Sequence, residues 1–481
     1  CGVLGGRHPA AAAVCRGLAM AGQKPQRAAI WSVYATGAID CADAALLPAV
    51  FRALEVEMGL SPSTLALLVL AQSVAGALAC PIWGYVVDSG QIERRDLLVL
   101  GALWWGLASL LSAAATGFTS LLLARTLLGV ALPLLSPLSQ SIIADLFAEN
   151  QRGQAFGAAA MWCTVGTGIG GIGGTSISNT RPNLLGFTMP GWRVVFLAGA
   201  AACALVAAIV ACCCPPIPRA DGAPPPALGP PRGGFLKSWL AMGRAVRRNK
   251  VWQLLTLQSL FGGLPFAGFH FLTLLMQYVG YSDVVSAVLL GAHRAGSALG
   301  ALLGGWLGDT VAAAGQNRVR VAQFSVAWLL VGLLALLNAL EGPAGPAAPT
   351  ALGAGLFLWG LGGSFCEVGC DLPILAEVAS QGESGTTRAS MIAYKRAVQG
   401  VINPVGAPVV GGLAEGVFGY VPTSQAVGAL SVSHRAGNAL ALGNALRTLA
   451  LVCWPLCLAG YSVVGWQYVK HRRRRGGAAA A

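Results

Sequence analysis

The chain has 481 residues, of which 10% are charged and 55% hydrophobic, and its formal net charge is +13. Soluble domains carry about 25% charged residues, so this composition, with a mean hydropathy of +0.66, excludes an ordinary soluble domain and points to the membrane class. The positive charge is not the footprint of a nucleic-acid binder, because the basic residues sit mostly between or after apolar runs, where they set topology.

Residues 1–27 are rich in Ala, Gly and Arg and hold no acid, which fits a targeting remnant or a cytosolic tail. A membrane-crossing helix needs about 20 apolar residues. Such windows fall near 28–51, 64–87, 96–116, 119–147, 154–178, 191–214, 251–280, 284–308, 321–340, 350–378, 390–418 and 446–469. Residues 215–250 interrupt the series with a proline run, Pro224 to Pro226, followed by Arg244, Arg247, Arg248 and Lys250. The layout is therefore an N-terminal bundle over 28–214, a cytosolic linker over 215–250, a C-terminal bundle over 251–469 and a basic tail over 470–481. The predicted fold class is an all-α membrane protein with twelve transmembrane helices in two six-helix, pseudo-symmetric bundles.

Basic residues gather in the tail before the first window, the 2–3 turn, the linker, the 8–9 turn, the 10–11 turn and the C-terminal tail. With twelve spans these all lie on one side, so both termini are expected in the cytosol. The opposite loops are poor in Lys and Arg: 52–63 carries Glu55 and Glu57, 281–283 carries Asp283, and 341–349 carries Glu341. Arg181 and Arg435 are exceptions. The stretch 419–445 is read as the longest loop on that side.

Two charged turns repeat. Gly84, Asp88, Arg94 and Arg95 follow the second window, and Gly305, Asp309, Arg318 and Arg320 follow the eighth, with Asp309 lying 221 positions after Asp88. A second pair ends the fourth and tenth windows. Ser141–Asp145 reads SIIAD and is followed by Arg152, while Pro373–Glu377 reads PILAE and is followed by Arg388. Asp88 at a neighbouring helix N-terminus would be favoured by the dipole, and Arg94 or Arg95 would pair with Asp145, locking the cytosolic side. Solvated loop charges are the alternative.

The paired turn resembles the loop 2–3 signature of the major facilitator superfamily, which recurs in that family's second half. Asp40–Val50 (DCADAALLPAV), Arg125 with Gly129 (RTLLG), Pro190–Phe196 (PGWRVVF), Gly304–Thr310 (GGWLGDT) and Val409–Tyr420 (VVGGLAEGVFGY) resemble the spinster-like group, especially its plant and algal members. That resemblance implies transport of lysolipids or sphingoid phosphates. The chain departs from the group at Val130–Pro133, where spinsters commonly carry an acid. Gly166, Gly168, Gly170, Gly171, Gly173 and Gly174 crowd the fifth window. They resemble the superfamily's antiporter motif without its proline, and close helix packing is the simpler reading.

Charge inside a span costs at least about 2.5 kcal/mol at the centre, so each instance marks a candidate site. Asp40 and Asp43 lie in the first window, three apart on one helical face, and Arg125 lies in the fourth. His270 is in the seventh, His293 and Arg294 in the eighth, and Glu367 and Asp371 share a face of the tenth. The resemblance implies that helices 1, 4, 7 and 10 line the cavity and 3, 6, 9 and 12 face lipid, which suits this distribution. A carboxylate in low dielectric can load a proton near neutral pH, so Asp40, Asp43, Glu367 and Asp371 are candidates for coupling. Arg125 and Arg294 are candidates to hold an anion, with Arg125 paired to Asp40 when no anion is bound. Structural ion pairs between helices are the competing reading.

No HExxH, GxSxG or P-loop occurs, so enzyme chemistry and ATP-driven transport are not expected. No cofactor or metal is expected, and the thirteen Cys lack metal spacing. The expected function is secondary active transport by alternating access of an amphiphilic or organic-anion small molecule, a lysolipid among the candidates, with proton coupling. The runner-up is a transporter-fold sensor or scaffold that does not transport. The expected partners are the small-molecule substrate, protons and the bilayer, and the chain is expected to act as a monomer.

Overall fold

The computed structural model describes residues 9–89, 92–146, 149–184, 186–214, 216–217, 247, 249–341, 347–379, 388–425 and 429–478. The N-terminal half contains α1 (Pro9–Met58), α2 (Pro62–Ser89) and α3 (Arg94–Ala114). Its α4 combines Phe118–Ala131, a 3-10 turn at Leu132–Leu134 and Leu135–Leu146, and α5 (Glu149–Ser178) and α6 (Gly191–Cys213) complete it. In the C-terminal half, α7 joins Lys250–Gly268 to Leu272–Val279 through a 3-10 turn, followed by α8 (Asp283–Ala313) and α9 (Val319–Leu340). Here α10 joins Pro349–Gly363 to Leu372–Ala379 through a π-turn at Glu367–Asp371. Then α11 joins Arg388–Ile402 to Gly406–Gly416, and α12 is Val432–Ala478. A two-residue antiparallel pair, β1 (Asn183–Leu184) with β2 (Phe187–Thr188), closes the α5–α6 connection.

Among the described residues, ten helices are long and apolar enough to cross a membrane. Of the other two helices, α4 carries a shorter apolar stretch, Phe118–Leu134, and α5 opens on the polar run Glu149 to Arg152. Exposed Leu103 and Leu107 on α3, Leu205 and Ile209 on α6, Phe324 and Val331 on α9, and Leu451 and Trp466 on α12 form an apolar outer face. With lipid as the solvent, such a face is at no disadvantage.

Helix contact without a hydrophobic drive needs close backbones, and glycines supply them. A Cβ on Gly166 of α5 would stand 1.9 Å from the Ala38 carbonyl oxygen of α1, and one on Gly170 would stand 2.3 Å from that of Ala42. Gly168, Gly171 and Gly173 face no atom that close, so the packing role falls on part of the glycine run. In the other half, Gly296 and Gly300 of α8 meet the carbonyls of Phe357 and Leu361 on α10 in the same way.

Two departures from the sequence expectations matter for function. The segment 52–63, expected as a loop, is helical through Met58, which carries Arg52 and Glu55 into the interior. The segment 419–445, also expected as a loop, holds the start of α12 at Val432. Apolarity alone missed that start, because Ser433, His434, Arg435 and Asn438 make the first turns polar. Asn438 accepts from the Val421 amide (2.9 Å) and donates back to the Val421 carbonyl (2.9 Å), tying the loop to the helix.

The helices alternate in direction, so the bundle has two ends. One bears Met58, Ala114, Ser178, Val279, Leu340 and Gly416, the ends of α1, α3, α5, α7, α9 and α11. The other bears both paired turns and both helical termini, and is called here the turn end.

Candidate functional site

The stretch Pro190–Phe196 shows how sequence builds the site. Pro190 precedes α6 in extended geometry, and Trp192 is buried. Arg193 donates to the carbonyls of Ala113 (2.6 Å) and Ala115 (2.8 Å), satisfying the C-terminal end of α3. Phe196 then lies under Arg125 of α4, with the guanidinium carbon 4.3 Å from the ring centroid.

Arg125 is fully buried. Its Nη1 stands 3.7 Å from Asp43 Oδ2, and Ser109 of α3 donates to Asp43 Oδ1 at 3.1 Å. The expected partner was Asp40. Asp43 takes that place because it lies on the α1 face turned toward α3 and α4. Asp40, one turn earlier, is half-buried and makes no hydrogen bond or ion pair among the described residues. The Arg125 Nε, Nη1 and Nη2 atoms, and Asp43 Oδ2, make no hydrogen bond. The cation is therefore compensated in charge and not in hydrogen bonding.

Across the boundary between halves, His270 sits in the 3-10 turn of α7, where its Nδ1–H donates to the Ala267 carbonyl at 2.9 Å. Arg294 of α8 is exposed and makes no hydrogen bond or ion pair among the described residues. It lies within electrostatic reach of Cys41 on α1 and of His270. His293 points the other way and is buried against Trp359, with ring centroids 4.7 Å apart.

Glu367 and Asp371 bound the π-turn of α10, a local unwinding often found at functional positions. They differ in environment. Asp371 is buried and accepts from Lys395 Nζ (2.7 Å), Tyr461 (2.8 Å) and Gln258 (3.4 Å), joining α7, α10, α11 and α12. Glu367 is exposed and pairs with Arg396 at 3.2 Å. Lys395 and Arg396 escaped the sequence reading, although two cations inside the 390–418 window were the signal that could have found them.

At the turn end, Arg318 Nη2 meets Asp309 Oδ1 at 2.8 Å, while Arg320 donates to Gln316 at 3.0 Å. Gly304 packs against Phe365, and a Cβ on Gly308 would stand 2.3 Å from the Gly369 carbonyl of the π-turn, seating α8 against α10. Gly305 lies 3.3 Å from Val368 by the same measure, whereas Gly84 has open space. Arg94 is buried, and Arg95 pairs with the adjacent Asp96 at 3.1 Å. The side chains of Asp88, Asp145, Arg152, Glu377 and Arg388 lie outside the described residues.

At the opposite end the halves meet through a cluster that sequence reading did not anticipate. Arg52 Nη1 donates to Glu55 Oε2 (2.6 Å) and to the Tyr278 hydroxyl (2.7 Å), and Arg52 Nη2 donates to the Gln425 carbonyl. Tyr278 donates to Glu55 (3.0 Å), and Tyr420 donates to Glu55 Oε1 (2.7 Å). All four side chains are buried.

A family model described as Major Facilitator Superfamily matches residues 33–403. The chain belongs to the Major Facilitator Superfamily. Within it, the chain is 33% identical over 102 residues to "Protein spinster homolog 1" of Xenopus tropicalis, covering 21% of this chain and 19% of that protein. It is 26% identical over 179 residues to the "Probable 4-methylmuconolactone transporter" of Cupriavidus pinatubonensis, covering 37% of this chain and 40% of that protein. The matched segments thus span two fifths or less of these relatives' lengths. Among solved structures, a bacterial homologue of the human lysosomal transporter Spinster, described as inward-facing and unoccupied, superposes with a TM-score of 0.75. That match has 17% identity and covers 93% of this chain and 98% of the other, so it is a likeness of fold. The twelve helices in two bundles are the architecture of this superfamily.

Proposed function

We propose that this major facilitator protein is a secondary active transporter for an anionic amphiphile or organic anion, working by alternating access. The observation that carries the reading is Arg125. It is a fully buried cation in the interior of one bundle, and its three guanidinium nitrogens make no hydrogen bond. A charge at that depth is costly unless it serves a ligand or a pair, and the pair here is loose at 3.7 Å. Arg294 supports the same reading from the other half, as a cation free of ion pairs among the described residues. An anion held between Arg125 and Arg294 would draw the halves together around it, which is how substrate binding biases such a fold. The relatives named as transporters support movement of a small molecule rather than an enzymatic reaction.

Proton coupling is assigned to Asp40, a half-buried carboxylate with no ion pair among the described residues and with Asp43 one turn away. Asp371 is a poorer candidate, since all its strong partners belong to its own half and would travel with it. The turn end is assigned to the cytosol on the strength of its basic residues.

A thermal-shift titration tests the anion site. Purified protein in nanodiscs should be stabilised saturably by 1-oleoyl lysophosphatidic acid, since ligand bound to the native state raises stability by mass action. Arg294→Gln should abolish that shift while leaving the ligand-free melting point in place. An equal shift in both proteins would overturn the assignment.

A further inference from the structure

The cluster at the end opposite the paired turns is built across the boundary between halves. Arg52 and Glu55 sit one turn apart on α1, so both point the same way. The groups they meet all come from the C-terminal half: Tyr278 ends α7, while Tyr420, the Thr423 amide and carbonyl and the Gln425 carbonyl belong to the α11–α12 connection. Nearby, Glu415 of α11 accepts from the Ser63 amide in the first turn of α2 at 2.6 Å. That carboxylate caps a helix of the other half, where the dipole favours it. Asn179 donates to Asp283 across the rim at 3.0 Å. Among the described residues, the side-chain hydrogen bonds that cross between halves gather at this end. Phe51 packs on Phe271 beneath them, with ring centroids 5.5 Å apart.

We propose that Arg52, Glu55, Tyr278 and Tyr420 form a latch that holds this end shut, with Arg52 as its hub, and that must come apart for the end to open. The inference rests on the alternating-access reading above. Its chemistry fits a reversible closure. Arg52 and Glu55 lie on the same helix, so they remain paired after the halves separate and neither is left as a lone buried charge. What breaks is the set of hydrogen bonds from Tyr278, Tyr420 and the 423–425 backbone, each replaceable by water when the end opens. A permanent seal would need no such arrangement, because apolar side chains of the same volume would hold as well. The ion pair on α1 thus serves as a preformed dipolar plug, and the phenols of the other half are its socket.

Hydrogen–deuterium exchange on the full chain in nanodiscs tests this. Tyr278→Phe with Tyr420→Phe removes only the two socket hydroxyls. The exchange-competent fraction should rise by about tenfold in peptides covering 50–60, 272–283 and 416–425, the effect of losing hydrogen bonds to a charged group. Peptides covering 92–100 and 305–320, at the turn end, should become more protected, because opening one end closes the other. Unchanged exchange at the first end would overturn the latch, as would a rise at both ends, which marks plain loss of stability. Failure of the transport reading would show separately, as absent flux in the unmodified protein with the reciprocal exchange pattern intact.

Discussion

Arg125 and Asp43 face each other across α4 and α1 with both side chains buried and their nearest charged atoms 3.7 Å apart. Removing one partner strands the other, which costs about 3–5 kcal/mol. Arg125→Leu and Asp43→Leu should each lower the melting point in nanodiscs, and the double variant should be less destabilised than the sum of the two. A strictly additive double variant would show that the two charges do not interact.

Asp371 and Glu367 carry neighbouring cations, yet their environments predict opposite sensitivities. Lys395→Met leaves Asp371 buried with only neutral donors, so it should cost about 3 kcal/mol or more. Arg396→Met removes a pair whose side chains are 54% and 61% exposed, and such pairs are worth at most about 1 kcal/mol. Chemical or thermal unfolding of the two variants side by side checks the order.

The glycine run of α5 is selective in what it tolerates. Gly166→Ala drives a methyl to 1.9 Å from the Ala38 carbonyl, so α1 and α5 must separate, at about 1–3 kcal/mol. Gly168→Ala meets nothing within 4 Å and should be neutral or slightly stabilising. Melting points in a matched lipid would separate the two.

Tyr420 lies in the α11–α12 connection, and burial first, then the Glu55 charge, raises its phenol well above the usual value near 10. A raised pKa means that the folded state favours the protonated phenol. Its contribution is therefore complete below about pH 10 and is lost only as pH climbs above that value. Exchange at 416–425, corrected for intrinsic rate, should be flat from pH 6 to 9. A step in that range would mean another group controls this end.

Much of the fold was legible because its signals repeat. Twelve apolar windows and two copies of a Gly–Asp–basic turn define two bundles, and an error of a few residues at any boundary leaves the count alone. The candidate site was legible in part. Asp43, Arg125, Arg294 and Asp371 stand out because a charge inside an apolar window is costly wherever it points. Arg52 and Glu55 did not, because the apolar window stops at Phe51 and charges beyond it look like a loop. Their spacing of three, which puts both on one helical face, was the available clue. Tyr278 and Tyr420 lie 142 positions apart, and nothing local announces that they share a carboxylate. Asp43 rather than Asp40 as the partner of Arg125 depends on the rotation of α1, which periodicity fixes only to within a residue or so.

Movement of an anion across the membrane is tested most directly by uptake into proteoliposomes. With an inward-directed or outward-directed pH gradient imposed, radiolabelled 1-oleoyl lysophosphatidic acid should accumulate saturably, faster in the gradient direction that loads Asp40. Asp40→Asn should remove the gradient dependence and Arg294→Gln should remove the uptake. Saturable binding of the same probe with no flux in either gradient would contradict the account.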